Sequence, residues 1–254
     1  MKFTPALVMI LVFISINTSA QRRKPPPVAR PKLPAAKPVV VPGQTAVVID
    51  ETLSVLRLEP SLFSAAIQRM HRGRTVQILG TAEADGVKFF RIAVPPANFG
   101  WVQSDAVFGP FRPGDEQRLA RLMQAATGFD QIEIAVEFFK LYPRSKFRPP
   151  VLLLFGDLLE EVAAKITRDA SNKLKRPEMA ATGAPLHSYY LNFVSLDRYR
   201  RLGIAFLFNS SARAFHYDGT SWKEIVEKFP GTPEAVEARN RLDSLTVKMK
   251  KVEE

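Results

Sequence analysis

Residues 90–123 read FRIAVPPANFGWVQSDAVFGPFRPGDEQRLARLM, and the spacing of apolar residues changes within this stretch, near residue 112. Before the change, Phe90, Ile92 and Val94 occupy every second position, which is the spacing of one face of a β-strand. After it, apolar residues recur every three or four positions, as on one helix face, at Leu119, Leu122, Met123 and Ala126. The sequence therefore predicts an α+β protein in which a β-region precedes an α-helical region.

The region 44–110 carries further strand and turn signals. The two-residue spacing recurs in two more pairs, Val47 with Ile49 and Val76 with Ile78. Asp85-Gly86 follows the second pair and is a strong signal for a tight hairpin, because glycine accepts a positive φ. Gly73 marks another turn. We predict an all-β domain over residues 44–110.

Four stretches of this region resemble bacterial SH3 domains in type and order: residues 56–61 (LRLEPS), 70–79 (MHRGRTVQIL), 90–92 (FRI) and 100–102 (GWV). That family has a similar arginine-bearing strand, a basic-Gly-basic turn and a closing Gly-Trp-Val. The resemblance covers about a quarter of the chain and departs at Glu59-Pro60, where the family often has a glycine. It implies a small SH3-like β-barrel that contacts cell-wall peptide or protein.

The region 113–254 is predicted to be α-helical. Asp115 and Asp130 are placed to cap two helices, and Gly128 is placed to end the first of them. A third helix is predicted from about Pro150, residues 169–186 are predicted to form a loop, and a further helix is predicted over residues 188–202. For residues 203–219 two interpretations stay open, a short β-hairpin, which we favour, and a helix.

Two helices close the chain, one from about Thr220 to Phe229 and one capped by Thr232. The first ends in IVEKFPGT (residues 225–232), which matches FFKLYPRS (residues 138–145) as an apolar run, an aromatic, a proline and a hydroxyl residue. This pairing resembles the tetratricopeptide-like repeats of envelope assembly proteins. The resemblance implies helix–turn–helix units that contact protein partners.

The N-terminal residues predict export. Lys2, an apolar run over residues 6–16 and small residues up to Ala20 form a secretory signal peptide, with an uncleaved membrane anchor as the alternative. We expect a periplasmic or secreted protein with no transmembrane span once the signal is cleaved. The chain has no cysteine, which excludes disulfides, thiolate catalysis and a lipoprotein anchor.

Residues 21–43 contain seven prolines and six basic residues, which predicts an extended, basic linker that can contact anionic surfaces weakly. The formal net charge is +11, but Lys2 and the linker supply seven of these charges, which leaves +4 for residues 44–254. Because a nucleic-acid-binding fold carries a basic patch of its own, we expect no specific nucleic-acid partner.

Catalytic and metal-binding motifs are not evident in the sequence. His71, His187 and His216 lack metal-ligand spacing, and serine-nucleophile and phosphate-loop motifs are missing, so we expect neither a cofactor nor a metal. Asp157, Glu160 and Glu161 lie off the apolar stripe of their helix, which favours a solvated face. The alternative is a peptidoglycan hydrolase, or its accessory subunit, that uses dispersed carboxylates of this kind.

Three aromatic residues in the β-region are candidate ligand contacts. Phe89 alternates with the presumed core residue Phe90 and is expected to face outward, while Phe99 lies in a loop beside Trp101. Trp101 has a second interpretation, as a residue that closes the barrel core. We predict an exported, non-catalytic binding or scaffolding protein of the cell envelope.

The helical region has aromatic residues that are predicted to be core: Phe138, Phe139, Tyr142, Trp222 and Phe229.

Overall fold

A computed structural model describes residues 44–250, with the exception of residues 176, 178–180, 182 and 184. The chain divides into two units, and the described residues belong to the unit that spans residues 36–254. The predicted signal peptide and the proline-rich linker lie outside the described residues.

The first part of the described chain forms one antiparallel sheet. Its strands are β1 (Gln44–Val48), β2 (Val55–Arg57), β3 (Ala66–Arg69), β4 (Thr75–Ala84), β5 (Val87–Val94), β6 (Asn98–Gln103) and β7 (Val107–Phe108). Their order across the sheet is β3-β2-β6-β5-β4-β1-β7. A single 3-10 turn, Ser104–Ala106, separates β6 from β7.

The predicted tight turn at Asp85-Gly86 is confirmed. Asp85 has φ 54° and Gly86 has φ 73°, the left-handed pair that lets two residues join twisted antiparallel strands. The turn joins β4 to β5, and Ala84 pairs with Val87 directly beside it. The alternating apolar residues then fall on one face, so that Phe90 and Ile92 are buried in the sheet core.

The second part is helical, with one hairpin inserted. Its elements are α1 (Asp115–Ala125), α2 (Gly128–Leu141), α3 (Arg148–Leu174), α4 (Leu186–Leu191), α5 (Asp197–Arg200), β8 (Phe206–Asn209), β9 (Ala214–Tyr217), α6 (Thr220–Lys228) and α7 (Pro233–Met249). The mixed α+β class, with the strands of the large sheet preceding the helices, is therefore confirmed. Each helix in the described part of the chain is too short or too polar to cross a lipid bilayer.

The predicted helix caps at Asp115 and Asp130 are wrong. Asp115 is the first residue of α1, and its buried carboxylate accepts hydrogen bonds from the Gly109 N–H (3.2 Å) and Arg112 Nε (2.7 Å) instead of capping the helix. Asp130 lies within the first turn of α2, which begins at Gly128. The sequence alone could not show that the Gly109 N–H would lie close enough to the Asp115 carboxylate to donate a hydrogen bond to it.

Helix α3 continues to Leu174, beyond the predicted start of a loop at residue 169. Ala170 is fully buried, and its carbonyl oxygen accepts a hydrogen bond from the Tyr189 hydroxyl (3.0 Å). The helix predicted over residues 188–202 is instead interrupted between α4 and α5, where the extended backbone of Phe193 turns its ring into the core. In both places tertiary packing outweighs the local pattern.

The hairpin interpretation of residues 203–219 is confirmed by β8 and β9, which pair from Phe206 with Tyr217 to Asn209 with Ala214. The Asn209 side chain holds the turn, because its Oδ1 accepts hydrogen bonds from the backbone N–H groups of Ser211 (3.0 Å) and Ala212 (3.1 Å).

The two matching sequence segments adopt the same backbone geometry. Tyr142 and Phe229 each follow a helix end, with φ near −130° and backbone N–H groups bonded to the carbonyl four residues earlier (2.9 and 2.8 Å). Ser145 and Thr232 each donate a backbone N–H to that aromatic residue's carbonyl (3.1 Å in both). Thr232 occupies the predicted N-cap position, but its hydroxyl donates to the Phe229 carbonyl and does not cap α7.

Part of the sheet region joins the hydrophobic core of the helices, while the rest of the sheet core forms a second cluster around Phe90 and Ile92. Val47, Ile49 and Phe108 of the sheet region are buried in the same cluster as the helical core residues. Arg72 adds a polar link, because its guanidinium contacts the Glu133 carboxylate (2.9 Å) and the Ile49 carbonyl oxygen (3.0 Å). The predicted core aromatics of the helical region are buried or packed against this cluster. The two regions are therefore in direct contact.

Candidate functional site

The outer face of the sheet, opposite the Phe90 core, carries two adjacent rows of cross-strand partners. One row runs Thr45, Gln77, Ala93 and Phe99 across β1, β4, β5 and β6. The other runs Gly80, Arg91, Trp101 and Arg57 across β4, β5, β6 and β2. Since directly paired residues of an antiparallel sheet project to the same side, these side chains form one surface, which we call the outer face.

A groove of about 410 Å³ lies over the first row. Its floor includes Gln77 and Ala93, and one wall is the loop Pro95–Asn98 with Phe99. The Arg74 guanidinium donates a hydrogen bond to the Pro95 carbonyl oxygen (2.6 Å), which ties this wall to the start of β4. The groove is therefore built from rigid strands and a tethered loop, as ligand sites commonly are.

The second row places Trp101 between two arginines. Arg91 is exposed, and its guanidinium group forms no hydrogen bond or ion pair with the residues that the structure describes. Arg57 Nη1 donates a hydrogen bond to the Ser64 carbonyl oxygen (2.7 Å), and Arg57 Nε is buried without a hydrogen-bond partner among the described residues. A guanidinium suits a carboxylate ligand, and an aromatic ring supplies apolar contact area beside it.

The three predicted contact residues differ in their positions. Phe99 is 57% exposed, as expected, and Trp101 is half-buried on the outer face and does not belong to the sheet core. The expectation that Phe89 is exposed is wrong, because its side chain is completely buried although it lies on the face opposite Phe90. Phe89 is close to the β4–β5 turn, where Asp85 is bonded to the loop residues Ser61 and Leu62 (2.7 and 2.9 Å).

Sequence reasoning missed Arg57 and Arg91 as parts of this surface. Their cross-strand pairing with Trp101 depends on the register of three strands. A signal was present, because Arg91 alternates with the core residues Phe90 and Ile92 and was bound to face outward. What the alternation could not give was which residues of β2 and β6 stand beside it.

Two of the three acidic residues predicted on α3, Asp157 and Glu160, are paired with neighbouring cations, whereas Glu161 is exposed. Asp157 pairs with Arg241 (3.1 Å), and the Glu160 carboxylate contacts His216 Nδ1 (2.9 Å) and Lys248 Nζ (2.8 Å). Burial tends to raise the pKa of Glu160, but hydrogen bonds from Lys248, His216 and the Tyr217 N–H outweigh burial and lower the pKa. Glu160 therefore stays ionised, and it is poorly suited to act as a general acid.

The histidines are dispersed over the described residues. His71 is exposed, with Nδ1 3.6 Å from the Glu51 carboxylate, and His187 is also exposed. His216 joins β9 to α3 through Glu160. Within the described ranges, His, Asp and Glu side chains form no group of three that could hold a metal ion.

No known protein family, curated protein or solved structure matches the chain. The outer face combines a groove with a tryptophan that has an arginine on either side.

Proposed function

We propose that this chain is an exported, non-catalytic binding or scaffolding protein of the cell envelope. Its sheet region acts as an SH3-like module that contacts cell-wall peptide or protein, and its helical region acts as a tetratricopeptide-like unit that contacts protein partners. The observation that carries the proposal is the outer face, where Phe99 is exposed beside a groove and Trp101 lies between Arg57 and Arg91.

The chemistry of the outer face favours an extended peptide that bears carboxylates. The groove is lined by strand residues, including Thr45, Gln77 and Ala93, and an extended backbone can lie along such a strand surface. Phe99 and Trp101 offer ring surface to the apolar part of such a peptide, and the guanidinium groups of Arg57 and Arg91 offer paired donors to its carboxylates. The peptide stems of a bacterial cell wall combine these features.

The hydrolase alternative draws no support from the acids it would need. Asp157 and Glu160 are engaged by Arg241 and Lys248, and the pKa of Glu160 is lowered, whereas an acid catalyst needs a raised pKa. Incubation of the purified protein with peptidoglycan, followed by analysis of released fragments, tests this alternative directly. Turnover that disappears in Glu160→Gln would support the hydrolase.

Retention on purified peptidoglycan and on envelope extract tests the binding proposal. Phe99→Ser should reduce retention about tenfold, since losing a well-packed aromatic contact costs about 1–2 kcal/mol. Phe63→Ser is the matched control, because Phe63 is 85% exposed but lies in the β2–β3 loop outside the outer face. Arg91→Gln should weaken retention and flatten its salt dependence.

Two outcomes would contradict the binding proposal. If neither material retains the protein, or if Phe63→Ser and Phe99→Ser reduce retention equally, the outer face is not the binding surface. Cell fractionation with N-terminal sequencing tests export, and a mature chain that still begins at Met1 contradicts cleavage after Ala20.

A further inference from the structure

A cavity of about 300 Å³ opens on the helical region, away from the outer face. It lies between α2, α3, the segment 202–205 that follows α5, and the junction of β9 with α6. Its walls are mainly apolar and include three aromatic rings, those of Phe139, Phe155 and Tyr217.

The aromatic walls are held in place by edge-to-face contacts. The rings of Phe139 and Phe155 are 5.3 Å apart at 84°, and the rings of Tyr217 and Trp222 are 5.4 Å apart at 78°. Arg148 covers the Phe139 ring at 5.0 Å and fixes it from one side. Because these rings already pack against the core, the cavity exists before any ligand arrives.

The charged groups at the rim of the cavity already have partners. Lys140 pairs with Glu137 (2.8 Å), and Glu224 pairs with Arg148 (2.8 Å). The Asp218 carboxylate accepts hydrogen bonds from the backbone N–H (3.0 Å) and the hydroxyl (2.7 Å) of Thr220, at the N-terminus of α6. Lys140 and Glu224 are already in ion pairs, and the Asp218 carboxylate is hydrogen-bonded to Thr220, so the rim favours a neutral occupant over a charged one.

We infer that this cavity is the anchor site for one aromatic side chain of a partner polypeptide. Its volume accommodates a phenyl ring, and its walls present ring edges and faces in the arrangement that aromatic pairs prefer. The polar rim at Lys140, Asp218 and Thr220 suits the backbone on either side of that ring, as the polar rim around an interface anchor does. The inference rests on the helical half of the proposed function and specifies its contact site.

The test uses the full chain and N-acetylphenylalanine amide as the probe, with the leucine and lysine amides for comparison. Binding is followed by methyl NMR of Leu152 and Ile204, which line the cavity. The phenylalanine amide should give saturable shifts at these sites, at millimolar concentration. The leucine amide should bind several-fold more weakly, and the lysine amide should cause no shift at the two methyl groups.

A substitution at the rim makes the test specific. Ala205 lines the cavity and is exposed, so Ala205→Trp should block the opening without disturbing the core. The affinity for the phenylalanine amide should fall at least tenfold. Ala212→Trp is the matched control, because Ala212 is equally exposed in the β8–β9 turn and does not line the cavity. It should leave binding unchanged.

Three results would overturn the inference: shifts that do not saturate, equal shifts from the lysine amide, or equal binding by the Ala205→Trp protein. None of them depends on the outer face. Conversely, loss of peptidoglycan retention in Phe99→Ser leaves the aromatic probe unaffected, so the two proposals fail separately.

Discussion

The closest packing between α3 and α6 occurs at Gly156, and replacing this glycine with alanine probes that packing directly. A Cβ atom at Gly156 would lie 2.2 Å from Trp222 Nε1, 2.6 Å from Trp222 Cε2 and 2.7 Å from Ser221 Oγ. Real Cβ atoms do not approach heavy atoms so closely, so either α6 or the indole ring has to move. Trp222 is almost completely buried, which leaves it little room.

Two opposing effects set the size of the change. Alanine is favoured over glycine in a helix interior by about 1 kcal/mol. Forcing extra atoms into a packed core costs about 1–3 kcal/mol, and the overlap at Trp222 belongs to the upper part of that range. We expect Gly156→Ala to lower the free energy of unfolding by about 2 kcal/mol, which corresponds to a fall in melting temperature of roughly 4–8 °C for a protein of this size.

Urea unfolding followed by circular dichroism measures the loss, and the emission of Trp222 reports the displacement of the ring. Gly231→Ala is the matched control, because nothing lies within 4 Å of the Cβ position at Gly231, and it should change stability by less than about 0.5 kcal/mol. A Gly156→Ala protein that is stabilised by about 1 kcal/mol, with unchanged Trp222 emission, would refute the close contact between the two helices.

Three further predictions concern the junction between the sheet and the helices and the ion pairs of α3. Because Val47, Ile49 and Phe108 of the sheet region pack into the helical core, single-tryptophan proteins made by Trp101→Phe or Trp222→Phe should report coincident unfolding transitions. Separate midpoints would show that this packing does not couple the two regions. Arg72→Met should lower the free energy of unfolding by about 2 kcal/mol, because it leaves the half-buried Glu133 without its cation; a loss below about 0.5 kcal/mol by calorimetry would contradict the link. The pKa of Glu160 is lowered from 4.5, so the stability it contributes is present above that pH and is lost as the pH falls through its folded-state pKa. Glu160→Gln should therefore be less stable than the parent at pH 7 by about 1–2 kcal/mol, and this difference should shrink in acid; a constant difference between pH 7 and pH 3 would argue against the ionised pair.

The sequence predicted the kinds of element well and their ends less well. Period-two alternation located the strands around Phe90, and the Asp85-Gly86 turn followed from glycine's tolerance of positive φ. The ends of α3 and the break between α4 and α5 depend on Ala170 and Phe193, which pack against residues remote in sequence. Local propensity carries no information about such partners.

For the candidate site, the sequence supplied the aromatic residues but not their surroundings. Phe99 was predicted to be exposed, and it is, although it lies in strand β6 and not in a loop. Phe89 was placed on the correct side of its strand but is completely buried. The alternation of apolar residues along a strand shows on which side of the sheet a side chain lies. It does not show whether other residues cover that side.

The sequence by itself determined that strands precede helices, that the helix–turn–helix junctions at Pro143 and Pro230 repeat, and which residues alternate toward a core, because each of these follows from backbone geometry and local periodicity. Only the tertiary structure decided that Arg57 and Arg91 flank Trp101 and that Val47, Ile49 and Phe108 of the sheet region pack into the helical core. Strand register and the packing of the sheet against the helices are set by contacts between residues far apart in the chain. These contacts form only when the chain folds, so local sequence patterns do not reveal them.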